Sequence, residues 1–147
     1  MAEETFDLEG AEKLLPELER LLRVAVAGKQ KVSDIEQEYA RLVKSIFLSG
    51  GRWVDVAHFS QRKQEKEEWE ARLREAVQEI ENYGCLIKDL DLGLLDFPCR
   101  LDDREVYLCW RLGESSIRFW HNTDEGFACR KPLDPKSLGK LKPPRSV

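Results

Sequence analysis

The sequence predicts an α+β fold: an N-terminal long-helix hairpin or bundle followed by a four-stranded antiparallel β-meander packed on the helices. Three observations carry this. Apolar residues recur at steps of three and four through the first 84 residues. After Gly84 the pattern changes to short apolar runs separated by turn residues. The links between those runs are too short for anything but antiparallel hairpins. The organisation expected is a helical region over 1–84, a meander over 85–133 forming one unit with it, and a flexible basic, Pro-containing tail over 134–147.

The helices come first. Thr5 or Asp7 can cap the opening turn, and Leu14, Leu15, Leu18, Leu21, Leu22 and Val26 follow as an amphipathic stripe. Pro16 lies within it; lacking an N–H and crowding the preceding turn, it predicts a kink or a helix break. Gly28 reads as a weak point. A second stripe, Val32, Ile35, Tyr39, Leu42 and Ile46, ends at Gly50-Gly51. The third, Trp69, Leu73, Ala76, Ile80 and Tyr83, extends back to about residue 54 and stops at Gly84. The charged stretch 62–68 is expected in solvent or beyond the end of its partner helix. Heptad-like steps in successive helices predict antiparallel coiled-coil packing, and a long helix short of intrachain cover predicts a homodimer.

The strands follow as Cys85–Leu90, Leu94–Arg100, Arg104–Leu112 and Ser116–Asn122. A two-residue turn at Asp102-Asp103 sets Leu101 against Arg104 and Leu95 against Trp110. A four-residue loop at Gly113–Ser116 sets Trp110 against Phe119 and Leu108 against His121. One face then collects Leu95, Phe97, Cys99, Val106, Leu108, Trp110, Leu112, Ile117 and Phe119, and packs on the helices. The other carries Asp96, Pro98, Glu105, Tyr107, Cys109, Arg111, Arg118 and Trp120.

That second face holds the candidate ligand site: Asp96, Tyr107, Arg111, Arg118 and Trp120, with His121 beside it. The register opposes Arg111 to Arg118 directly, a repulsion offset by Asp96, by Glu114 or by a bound anion. Tyr107 and Trp120 can stack on a planar ligand or form a protein-binding patch. His121 and Glu125 are four apart, but they leave a strand rather than share a helix. The soft donors near them are Cys109, placed on the face away from His121, and Cys129. Cys109 beside Arg111 reads as a small buried residue, or as a thiol whose pKa a cation lowers. No C-x-x-C pair, phosphate-binding glycine loop or hydrolase motif occurs, so no metal and no cofactor are expected.

Charge narrows the partners. Residues 1–84 carry 13 Lys+Arg against 18 Asp+Glu and residues 85–147 carry 11 against 10, giving the formal net charge of -4. No concentrated basic face for nucleic acid emerges. The tail from Lys131 to Arg145 is locally basic and reads as a solvated terminus. No apolar run reaches the roughly 18 residues of a membrane span. The acidic start Met1-Ala2-Glu3-Glu4 lacks export-signal features, so four reduced thiols in the cytoplasm are expected.

Two segments carry a family resemblance. One is Phe6-Asp7-Leu8-Glu9-Gly10-Ala11 with Leu14-Leu15-Pro16-Glu17-Leu18. The other runs from Leu86 to Pro98, through Arg104–Glu114, Ile117–His121 and Gly126-Phe127, to Arg130–Leu133. Together they resemble the bacterial family called domain of unknown function 2203 over residues 5 to 133. The departures are Gly10 and Glu12, where Glu and Asn are expected, and Asp103, where Gly is. The resemblance implies the fold and no particular activity. Two functions from different classes follow: a non-catalytic interaction module that dimerises or docks a protein partner through its helices, or a small-anion, metabolite-binding or enzymatic domain around Arg111 and Arg118.

Overall fold

The computed structural model describes residues 6–51 and 53–134 and the backbone of 141–142. Two antiparallel helices, α1 (Leu8–Ser49) and α2 (Val56–Asn82), lead into a six-stranded antiparallel sheet. Its strands are β1 (Leu86–Asp89), β2 (Leu94–Leu101), β3 (Arg104–Arg111), β4 (Phe119–Asn122), β5 (Lys131–Pro132) and β6 (Leu141–Lys142). The first five lie in chain order across the sheet, and β6 pairs with the end of β2. The α+β architecture is the one the sequence predicts, lengthened by two short strands. Of the expected tail, Asp134 and the Leu141–Lys142 backbone are described; its other residues lie outside the described residues, as does Thr5.

Asp7 caps α1, its carboxylate accepting from the Gly10 N–H at 2.7 Å. Pro16 does not divide the helix. It lies on the exposed face, where water can satisfy the carbonyl that loses its partner, and α1 runs unbroken to Gly50 in the left-handed C-cap conformation. Gly28 is a contact rather than a weak point: a Cβ there would stand 3.4 Å from both the Leu73 Cβ and the Trp69 carbonyl of α2. The crossing has room for a methyl group at this position but not for a large side chain. The charged stretch does not run free of α1 either. Arg62 binds Glu38 and Glu65 at 2.8 Å, and Lys66 reaches Glu36 at 3.3 Å, while Lys63, Gln64, Glu67 and Glu68 stay exposed.

Ala11, Leu15, Leu18, Leu21 and Leu22 of α1 and Ile80 of α2 pack on Leu95, Phe97, Cys99, Val106, Leu108 and Trp110 of the sheet. The β2–β3 register is the expected one, Leu101 facing Arg104, with Asp102 taking the positive φ of 55° in the turn. The β3–β4 register is one residue away from expectation. Leu108 pairs with Trp120, Tyr107 with His121 and Cys109 with Phe119. The cause lies in the connection. Glu114 closes a turn on Arg111, its N–H donating to the Arg111 carbonyl at 2.9 Å and its side chain accepting from the Arg111 N–H. The Trp110 indole N–H also donates to the Glu114 carbonyl, at 3.0 Å. The chain therefore leaves the ladder at Arg111 and rejoins it at Phe119, with Ile117 buried between.

The Gly28 contact makes a direct prediction. Gly28→Leu forces a large side chain into the helix crossing and should lower unfolding free energy by about 1–3 kcal/mol in urea titrations; an unchanged midpoint would refute the close-approach role.

Candidate functional site

The shifted register reorders the outer face of the sheet. Trp120 moves into the core, and Phe119 and His121 take the outer face with Asp96, Tyr107 and Cys109. Cys109 and His121 therefore share a face, contrary to expectation. Asp96, Cys109 and His121 each offer a ligand atom within 4.8 Å of the others. All three are buried: Asp96 is 0% and His121 1% exposed.

Their hydrogen bonding is what makes the cluster chemically unusual. His121 Nδ1 lies 2.7 Å from the Asn122 carbonyl, which can only accept, so Nδ1 carries a proton. In the neutral ring Nε2 then holds the lone pair, and it lies 3.0 Å from Asp96 Oδ2. Neither Asp96 oxygen receives an aligned hydrogen bond. A lone pair facing a carboxylate at this distance needs a positive charge between them, a proton or a metal cation. Burial pushes the Asp96 carboxyl above its ordinary value, against the opposing pull of His121, Lys88 and Cys109. Burial, with Asp96 beside it, pushes the Cys109 thiol up to about 12. That is the reverse of a cation-activated thiol, and the group beside the thiol that raises it is the Asp96 carboxylate rather than the ring.

Surrounding groups fix the cluster from two sides. Tyr107 contacts the His121 ring at 5.6 Å between centroids, and Lys88 Nζ sits 4.9 Å above Tyr107. On the other side Arg130 stacks at 3.9 Å on Phe119 and at 4.8 Å on Phe127, held by both Glu114 oxygens at 2.7 Å. The turn after β4 is tied by Glu125, which accepts from the Asn122 N–H and side-chain amide and from Lys131.

Of the candidates read from sequence, Asp96, Tyr107 and His121 come together. Trp120 faces the helices as part of the core, with Lys131 over its ring at 4.9 Å. Arg111 and Arg118 are not directly opposed. Arg111 is exposed, 5.6 Å from the Phe127 ring, and Arg118 is exposed with its guanidinium on Ser115 and Ser116. Arg130 is the guanidinium that pairs with Glu114, and the sequence reading gave it no role beyond the family resemblance. All four cysteines are free thiols, Cys129 exposed and the others buried. Among the described residues no helix is long and apolar enough to cross a membrane.

The model of an uncharacterized conserved protein family, DUF2203, matches residues 4–133. The chain belongs to the DUF2203 family. That match takes in both helices and strands β1 to β5, so the Asp96, Cys109 and His121 cluster lies within the DUF2203 region. No curated protein and no solved structure matches the chain.

Glu125 yields a pH prediction. Lys131 and the Asn122 donors hold its carboxyl down at about 2. A carboxyl depressed in the folded state contributes stability above its unfolded value, near 4.5, and loses it as pH falls toward 2. Wild-type protein should lose melting temperature over that window more steeply than Glu125→Gln; parallel acid limbs would refute the assignment.

Proposed function

We propose that this protein is a ligand-binding domain whose buried Asp96, Cys109 and His121 bind a divalent, thiophilic cation of the zinc class. The observation that carries the reading is the arrangement at His121: with Nδ1–H on a backbone carbonyl, Nε2 turns toward the buried Asp96 carboxylate at 3.0 Å, and neither oxygen of that carboxylate has an aligned hydrogen bond. That is the outer hydrogen bond metal-bound histidines use to orient the ring. Charge supports it as well. A dication with one thiolate, one carboxylate and a neutral imidazole sums to zero, the balance a buried site needs. Tetrahedral zinc holds N, O and S donors about 3.3–3.6 Å apart, given bonds of about 2.0–2.3 Å. Donors within 4.8 Å reach that by side-chain rotation. The high thiol pKa is no obstacle, because a bound cation displaces the proton. Three protein donors leave one tetrahedral position for an outside oxygen, sulfur or nitrogen, the arrangement of catalytic rather than structural zinc.

Zinc content after dialysis and cobalt(II) absorption test this. Wild type should retain one cation per chain and show a thiolate–cobalt charge-transfer band. Cys109→Ser, His121→Gln and Asp96→Asn should each weaken binding at least about tenfold. Asp96→Asn also separates binding from folding. Its amide can donate to the Nε2 lone pair, so metal-free stability should hold or rise by about 1 kcal/mol. A wild type holding no more zinc than Cys109→Ser would overturn the proposal.

A second reading, an interaction module docking through its long helices, is supported by a different observation. The far end of the hairpin exposes Tyr39, Val43, Phe47, Leu48, Trp53 and Val56. Side chains of that size, grouped and uncovered, mark a contact surface.

A further inference from the structure

We infer that the tip of the helical hairpin is a peripheral membrane anchor, dipping into one leaflet of a bilayer that carries anionic lipids. The contact is with the surface, since no described helix is long and apolar enough to cross. The inference rests on the docking reading above and names its partner; it is independent of the cation site.

Charge gives the first argument. Residues 39–64 hold five Lys+Arg and one acidic residue, Asp55. Taking them from the 13 against 18 of residues 1–84 leaves eight against 17 for the rest of that region. The hairpin is therefore a basic tip on an acidic stem. Ion pairing does not cancel this. Arg41, Lys44 and Lys63 are exposed and form no ion pair among the described residues. The acids nearest the tip are engaged elsewhere. Asp55 accepts from the His58 N–H at the start of α2, Glu38 is held by His58 and Arg62, and Glu65 by Arg62. Such a distribution turns the tip toward an anionic surface and the stem away from it.

Shape gives the second. Val26 is the last α1 residue packed on the core shared with the sheet. At 1.5 Å per residue Phe47 stands about 30 Å further along, so the tip meets a surface before the sheet does. At its end Phe47 is 84% exposed, Leu48 and Val56 72%, and Trp53 fully. Phe47 and Leu48 point about 100° apart around α1, while Trp53 and Val56 belong to the link and to α2. Groups that diverge around an end offer no single stripe to a partner helix, whereas a fluid acyl layer covers them all.

Depth gives the third. Lys44 and Arg41 lie about 4–11 Å behind Phe47 and Leu48 along α1, and Lys63 about 10 Å behind Val56 along α2. Interfacial segments bury their apolar side chains about 5–10 Å into the boundary between headgroups and acyl chains. At that depth the three cations reach the level of the lipid phosphates and carboxylates, their stems lying along the apolar layer. Trp53 and Tyr39 are the amphipathic rings that bilayer interfaces favour.

Co-sedimentation of the full chain with vesicles of about one part phosphatidylserine to two of phosphatidylcholine tests this. Wild type should pellet with these vesicles, pellet far less with phosphatidylcholine alone, and be released as salt is raised. Trp53→Glu and Phe47→Glu should each weaken binding at least about tenfold, and Lys44→Gln about fivefold. All three side chains are exposed, so far-ultraviolet dichroism and the thermal transition should stay in place. Wild type left in the supernatant, equal binding to both vesicles, or variants binding as wild type does overturns the proposal. Two further readouts separate it from the docking reading. A chain that ignores vesicles, yet sediments at twice its 17.1 kDa mass or binds a hydrophobic dye until Phe47→Glu abolishes either, ends the lipid proposal and leaves a protein as the occupant. A chain that ignores vesicles, stays single and binds no dye ends both.

Discussion

A carboxylate withdrawn from water has to meet positive charge, and around Asp96 that requirement organises the outer half of the sheet. Leaving such a group ionised and unpaired costs several kcal/mol, so it either holds a proton or acquires a cationic neighbour. Asp96 stands at the centre of β2, a strand with both faces covered. Its partners can come only from the strands beside it. β3 supplies Cys109 directly opposite, and β4 supplies His121 one strand further on. None of the three donors sits on a loop. Their spacing is set by sheet geometry, and a site built on paired strands keeps its shape better than one carried by a mobile segment.

The same strands face the helices with their other side, and this links the core to the site. Trp110 and Leu108 pack on α1 while Cys109 between them points outward. The β3–β4 pairing that buries Trp120 in the core is also the pairing that turns His121 toward Asp96. The core packing and the polar cluster are therefore set by one register, and a slip would lose both. Glu114 enforces it from the end of the hairpin. Its backbone closes the turn on Arg111 and anchors the Trp110 indole, while its carboxylate holds Arg130 on the Phe119 ring. One residue thus ties the hairpin turn to the wall beside the cluster.

Much of this was legible in the sequence where one physical pattern had no rival. Stripes at steps of three and four gave the helices, and Asp102-Asp103 between alternating apolar runs gave the β2–β3 register residue by residue. Pro16 and Gly28 were misread because propensity speaks only for an isolated helix. In the folded chain an exposed proline loses little, and a glycine buried at a helix crossing is held by the packing around it. The stretch 62–68 was misread for a related reason. Composition marks it as solvated, but ion pairs to Glu36 and Glu38 on α1 draw Arg62 and Lys66 inward.

The cluster itself was hidden by an ambiguity of parity. Phe119 and Trp120 are adjacent and both large and apolar, so either can face the core, and hydrophobic alternation alone does not choose between the two registers. Polar chemistry does choose. Placing Phe119 in the core sets Arg111 against Arg118 and leaves Asp96 facing no histidine. Placing Trp120 there removes the like-charge pair and brings His121, Cys109 and Asp96 onto one face. The signal was present as the repulsion of the discarded register. A juxtaposition of two guanidiniums that requires an outside anion is weaker ground for a ligand site than for a one-residue shift, because the shift removes the like-charge pair and gives the buried Asp96 a histidine neighbour the chain already has.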